Sequence, residues 1–294
     1  MLTGRTLCPL THHRWKVISP RRASPYGRRM IRALLISAAL CLPVPLFAQS
    51  VEGTLQAQFL PGWQSDDGSY MAAIRLTLTP GWKTYWRAPG DAGIPPEFDW
   101  AGSGNLSDVR LIWPTPTVML TNGMQSIVYH DQLVLPISVT PRNPDEPTRL
   151  RLQLAVGICK DICMPASVDL AVDLTGKGAD DPMIRAALAS RPATSAEAGV
   201  TAIFCSVTPI DDGLRLHAEV TLPRQGPTET VAFELADKTV WIASAETSRN
   251  GPTLMAETDL VPSTGAAFAL DRSSITLTVL TEGHSVEIQG CPAG

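Results

Sequence analysis

The sequence predicts an all-β protein, two β-sandwich domains joined by a linker that carries one short helix. Three observations predict it. From Val51 to about Leu174, short runs of alternating apolar and polar residues lie between turn dipeptides, the period-two signature of half-buried strands. A stretch rich in Gly, Asp and small polar residues, 175–199, then breaks the rhythm. From Val200 the rhythm resumes and continues to the end of the chain.

Residues 1–48 read as an export leader. Arg28, Arg29 and Arg32 precede an apolar run, 33–42, and Pro43 to Ala48 supply a cleavage region, with cleavage expected after Ala48. The apolar run is too short to span a bilayer. Met30 is an alternative start, which would make residues 1–29 surplus. A twin-arginine signal at Arg28-Arg29 lacks the expected residues after the pair, and Cys41 as a lipidation site lacks the small residue before it. No later segment is long and apolar enough to cross a membrane, so a soluble, exported chain is expected.

In the first domain, 49–175, strands are expected at 54–59, 70–79, 82–86, 109–113, 133–139, 150–156 and 167–174. Asp66-Asp67-Gly68, Pro80-Gly81, Pro89-Gly90 and the segment 141–147 supply the turns. The linker, 176–199, contains a helical pattern at 182–189 with Asp181 placed to cap it. In the second domain, 200–294, strands are expected at 214–220, 231–235, 240–243, 275–280 and 286–288.

Charge narrows the partners. The leader holds eight of the 24 basic residues and no acid, leaving 16 basic against 28 acidic residues, a formal charge of −12. Nucleic acid is therefore not an expected partner. His130, His217 and His284 are too scattered for a histidine-rich metal site, and no metal or cofactor is expected. No serine-histidine-acid set, paired-carboxylate motif or phosphate loop is present.

Four cysteines follow the leader: Cys159, Cys163, Cys205 and Cys291. An even count in an oxidising compartment suggests two disulfides, and adjacency favours Cys159 with Cys163, leaving Cys205 with Cys291. The first pair lies between two alternating runs and reads as the tip of a strand-turn-strand unit. Extended chain would hold its α-carbons roughly 13 Å apart, whereas a disulfide needs about 4.4–6.8 Å, so the segment must turn. Closing so short a ring removes about 2 kcal/mol of denatured-chain entropy, against about 4.6 kcal/mol for the ring from Cys205 to Cys291. The short bridge suits exchange, and the long one suits a structural staple. Lys160 would favour a thiolate on its neighbour and Asp161 would oppose it.

Three motifs carry a resemblance. Gly157-Ile158-Cys159 through Cys163-Met164-Pro165-Ala166, the run from Trp82-Lys83-Thr84-Tyr85-Trp86 to Gly93, and Tyr129-His130-Asp131-Gln132-Leu133 together resemble the N-terminal periplasmic region of DsbD-type and ScsB-type thiol–disulfide reductases. The resemblance implies immunoglobulin-like sandwiches and a periplasmic location. It also implies that Cys159 and Cys163 relay reducing equivalents from thioredoxin-like proteins to exported thiol proteins, with Trp82, Tyr85, Trp86, Tyr129 and Pro165 as motif positions. By analogy Cys163 forms the mixed disulfide. Within 118–126, Asn122, Gly123 and Met124 stand where the family places a loop capping the disulfide, without that loop's acidic character. Neither a membrane domain nor a thioredoxin-like domain precedes Gly294, so a separately encoded membrane electron-transfer partner, or a split system, is expected.

Two other readings stand beside the relay. Cys159, Cys163, Met164, Met124 and His130 are soft ligands suited to Cu(I), and a relative of the family is linked to copper tolerance. A sandwich with two inert disulfides, structural or partner-binding, is the other. The aromatic cluster of Trp82, Tyr85, Trp86, Trp100 and Trp113 reads as core packing, since Trp82 and Trp86 share a strand face, and Asp91 reads as a turn acceptor.

Overall fold

Ten strands build the first sandwich: β1 Leu55–Gln64, β2 Tyr70–Leu78, β3 Lys83–Gly90, β4 Glu97–Asp99, β5 Leu106–Leu111, β6 Thr117–Thr121, β7 Met124–His130, β8 Gln132–Pro141, β9 Thr148–Cys159 and β10 Cys163–Leu174. The computed structural model describes residues 53–265 and 268–293. The expected leader, its cleavage site and the alternative start at Met30 lie outside these residues. One sheet runs β1-β2-β8-β5; the other runs β10-β9-β3-β7-β6, with β4 also on β9. Between them lies a core that includes Ile74, Trp86, Ile127, Leu135, Ile137, Leu152 and Ile158.

The helix α1, Pro182–Ala189, has the cap its sequence predicts. The Asp181 carboxylate accepts from the backbone N–H groups of Met183 and Ile184 at 2.8 and 3.2 Å, satisfying donors that a helix start leaves open. Ile184 is fully buried and packs with Leu60 and Ala73, which fixes the helix against the first sandwich. The expected linker thus carries a helix that packs on the first sandwich, and the described residues cluster as one unit.

The second sandwich contains β11 Ala193–Thr194, β12 Ala202–Ile210, β13 Gly213–Thr221, β14 Thr230–Glu234, β15 Val240–Ile242, β16 Glu246–Asn250, β17 Thr253–Pro262, β18 Thr276–Thr281 and β19 His284–Gln289. Its sheets run β11-β19-β18-β14 and β12-β13-β17-β15, with β16 also on β17. The strand β11 falls inside the stretch read as linker and pairs in parallel with β19. Cys205 and Cys291, both buried, form a disulfide with α-carbons 5.5 Å apart. It joins β12 to the segment after β19, where Cys205 N–H also donates to Pro292 O at 2.8 Å.

The sandwiches meet through a small set of polar contacts and shared core. Arg87 of β3 donates to Glu234 at 2.8–3.1 Å and to Glu287 at 2.5 Å. Burial acts to lower the Arg87 pKa, and the hydrogen bonds and charge of Glu234, with Glu287, more than offset it. Thr115 and Ser285 hydroxyls lie 2.7 Å apart, and Ala232 and Leu280 of the second sandwich join the first core. The Glu234 side chain is only 12% exposed, and Arg87 is its ion-pair partner. Arg87→Ala is expected to destabilise the protein by about 3 kcal/mol, the lower end for a paired charge left without its partner, and Arg87→Ala/Glu234→Gln to recover part of that. Thermal and denaturant unfolding of the two variants checks this; equal losses would show that the stranded carboxylate is not the cause.

Candidate active site

The chain positions the two cysteines by strand register. β9 and β10 pair as an antiparallel hairpin from Thr148↔Leu174 to Cys159↔Cys163 without a bulge. Lys160, Asp161 and Ile162 form the connection, with Lys160 N–H donating to Ile162 O at 3.4 Å. Side chains alternate across a strand. Leu150, Leu152, Leu154, Val156 and Ile158 enter the core, so the odd-numbered positions, ending at Cys159, take the outer face. Cys159 and Cys163 form a disulfide with α-carbons 4.1 Å apart. The two sulfurs differ in access: Cys159 is 5% exposed, whereas Cys163 is on the surface.

The neighbouring strand brings a phenol to the exposed sulfur. Lys83 and Thr84 of β3 pair with Cys159 and Ile158, which puts Tyr85 on the outer face while Thr84 and Trp86 point inward. The Thr84 hydroxyl donates to Gly157 O at 2.9 Å and locks β3 to β9. Tyr85, 2% exposed, runs across Gly157 and places its hydroxyl oxygen 3.1 Å from Cys163 Sγ. Burial raises the Tyr85 pKa, so the phenol stays a neutral donor. Gly157 is required here: a β-carbon would stand 2.6 Å from Ile94 Cβ and 2.9 Å from Tyr85 Cδ2.

A loop closes over this arrangement. Its anchor is Asp91, whose N–H donates to Gln125 O at 2.9 Å while its carboxylate accepts from Gln125 N–H at 2.7 Å. Gly93 lets the loop descend onto the ring, because a β-carbon there would lie 2.2 Å from Pro89 Cβ and 2.8 Å from Tyr85 Cδ1. Ile94 then packs with Tyr85, Val128, Cys159 and Met119 as a small apolar cluster on the outer face. At the turn, Lys83 Nζ donates to Lys160 O at 3.4 Å, so a second cation joins Lys160 beside the bridge.

The residues singled out in the sequence separate into two sets. Trp82, Trp86, Trp100 and Trp113 pack in or against the first core; the Trp113 ring stacks on Tyr129 at 6.2 Å. The Tyr129 hydroxyl donates to Pro114 O at 2.6 Å, and burial holds its pKa well above the ordinary phenol range. Tyr85 does not belong with these core aromatics; strand alternation sends it to the cysteines. Asp91 is the backbone acceptor expected of it. Pro165 pairs with Gly157, and His130 pairs with Lys83.

The segment 118–126, read as a capping loop, is built as a β-hairpin. Asn122 and Gly123 both have positive φ, 52° and 82°, as the two central residues of the turn between β6 and β7. Asn-Gly between alternating runs is a strong hairpin signal and could have revealed it. Met124 is 48% exposed, while Met119 and Ile94 supply the cover beside Cys159. Met164 packs against the core and pairs with Ile158, so it leaves the face that carries Cys163. Among the described residues no group of three or more His, Cys, Asp or Glu is placed to hold a metal ion.

Residues 56–174 match the family described as "Thiol:disulfide interchange protein DsbD, N-terminal". The N-terminal periplasmic domain of ScsB from Proteus mirabilis superposes with a TM-score of 0.63 at 22% identity, over 86% of this chain and 97% of that one; this shows the fold. The reduced N-terminal domain of Neisseria meningitidis DsbD gives a TM-score of 0.29 at 18% identity, over 45% of this chain and 92% of that one, too low to carry an argument. No curated protein sequence matches.

Two substitutions test the site. A hydrogen bond to the charged form of a thiol favours that form, so Tyr85→Phe should slow alkylation of reduced Cys163 at neutral pH. It should also move the pH of half-maximal alkylation upward; an unchanged profile would remove Tyr85 from the chemistry. Gly157→Ala should cost about 1–3 kcal/mol through overpacking and reproduce the Tyr85→Phe profile, since the added methyl displaces the ring.

Proposed function

Given that residues 56–174 belong to the DsbD N-terminal family, we propose that the chain is a periplasmic thiol–disulfide interchange protein whose Cys159–Cys163 pair relays reducing equivalents to exported thiol proteins. The observation that carries this reading is the unequal environment of the two sulfurs: Cys163 is exposed beside the Tyr85 hydroxyl at 3.1 Å, and Cys159 is buried behind it. An exposed thiol that can be reached by a partner, with a resolving thiol held directly opposite it on the ladder, is what two-step exchange requires.

In the reduced protein the Cys163 thiolate attacks one sulfur of a partner disulfide. A bond forms between Cys163 Sγ and that sulfur, and the partner's other sulfur leaves as a thiolate. Cys159, deprotonated, then attacks Cys163 Sγ, restores the intramolecular bridge and releases the second partner thiolate. Two electrons pass to the partner, and the protons given up by the two cysteines account for its two thiols. A thioredoxin-like dithiol runs the same steps in reverse to recharge the pair. The Tyr85 O–H supports the thiolate form of Cys163 at both ends of the cycle. The hairpin ladder keeps the two α-carbons in place whether or not the bond exists.

Among the described residues no helix is long and apolar enough to cross a membrane. On this reading a membrane electron-transfer protein is the class of partner that would recharge the pair.

Cys159→Ala should leave Cys163 able to attack but unable to resolve, so mixed disulfides with partner proteins should accumulate and be captured under non-reducing conditions. Cys163→Ala should capture far less, and both variants should stay folded, because the short ring contributes only about 2 kcal/mol. Thiol trapping across a redox buffer series gives the decisive number. Opening of Cys159–Cys163 well above about −300 mV, apart from Cys205–Cys291, supports exchange. Opening of both bridges only on denaturation would leave a structural sandwich.

A further inference from the structure

A groove of about 870 Å³ lies between the two sandwiches. Pro95, Pro96, Phe98 and Trp113 line it from the first sandwich, and Val240 and Ile242 from the second. The strand β15 stands at the edge of its sheet and, among the described residues, pairs only with β17. Ser263 N–H donates to Thr239 O at 2.9 Å and Ala243 N–H to Asp259 O at 3.0 Å. Residues 239, 241 and 243 therefore face β17, and alternation turns the N–H and C=O groups of Val240 and Ile242 the other way. Among the described residues no hydrogen bond takes up these groups. Trp241, between them, is 55% exposed, and the buried Ser244 Oγ on the same groove has no partner among the described residues.

An unpaired edge of this kind is a template for another strand, and the charge of the groove narrows what would add. Asp91, Glu97 and Asp237 line it against Lys238, while Arg87 is engaged by Glu234 and Glu287. The Thr239 hydroxyl and N–H lower the Asp237 pKa and keep that carboxylate charged. We propose that this groove receives an extended, lysine- or arginine-bearing segment of a partner protein, which adds as a strand to the free edge of β15 with its cationic side chains toward Glu97 and Asp237. The loop that covers Tyr85 and Cys159 also forms one wall of the groove, through Asp91, Gly93, Pro95 and Pro96. A segment bound there lies against the back of that cover.

The test needs no thiol chemistry, so it stands or falls separately from the interchange reading. A fluorescein-labelled decapeptide of alternating lysine and valine is titrated with the purified protein by fluorescence anisotropy. Three comparisons accompany it: the glutamate-valine peptide, and two lysine-valine peptides N-methylated either at every valine or at every lysine. Strand addition uses one edge of the peptide, so one methylated form should bind as the parent does and the other should fail. The glutamate peptide should bind at least about tenfold more weakly, and Trp241→Ala and Glu97→Lys should each weaken the lysine peptide at least about fivefold. Trp241→Ala removes an exposed side chain without changing net charge, so its effect is neither misfolding nor bulk attraction to an acidic protein. No binding up to about 1 mM, equal binding of the lysine and glutamate peptides, retention by both methylated forms, or variants that bind as the parent protein does would each overturn the proposal.

Discussion

The register between β9 and β10 is the constraint on which the site depends. Twelve consecutive pairs run from Thr148↔Leu174 to Cys159↔Cys163, and the leucines and Val156 of β9 hold that register by filling the core. A slip of one residue would turn Leu150, Leu152 and Leu154 to the outer face and bury the positions now facing out. The same slip would uncouple the two cysteines. The hydrophobic pattern of the strand thus fixes the geometry of a bridge that lies at its end, and the bridge need not hold the hairpin together.

A second consequence of register is the placement of Tyr85. Because β3 pairs with β9 at Lys83 and Thr84 only, and then departs, the strand can bring Trp86 into the core, send Tyr85 across Gly157 and aim Arg87 at the second sandwich within three consecutive residues. The core, the exposed sulfur and the domain interface are therefore joined through one short stretch of backbone. The loop from Asp91 to Pro96 follows directly and borders both the disulfide face and the groove between the sandwiches.

Much of this was legible in the sequence, for reasons that can be named. Strand alternation gave the two sandwiches, the Asp181-Pro182 start gave the helix, and cysteine adjacency gave the hairpin tip. The family motifs named Tyr85 without saying what it does. Its role follows from odd-even alternation against Trp82 and Trp86, the same local pattern that turns those tryptophans to the core. The hairpin at 117–130 has its signal in Asn122-Gly123, a turn dipeptide between alternating runs. Gly93, Ile94 and Met119 had no sequence signal, since their part comes from long-range packing: a loop folds back over a strand it follows, and only the missing β-carbons at Gly93 and Gly157 record how closely.

The two disulfides show how one covalent bond serves opposite ends according to its setting. Cys205 and Cys291 are both buried, 86 residues apart, and join the edge of one sheet to the chain beyond the last strand. Closing such a ring limits the unfolded chain by about 4.6 kcal/mol, and no partner can reach the sulfurs without unfolding. Cys159 and Cys163 are four residues apart on a ladder already closed by backbone hydrogen bonds and core packing. Opening that bond frees little chain entropy, and the strands still hold the thiols opposite each other. Reversibility on the proposed reading thus comes from the sheet. A disulfide that contributes little to folding can open and close during exchange, and the apolar cover on Cys159 leaves Cys163 as the sulfur that meets a partner.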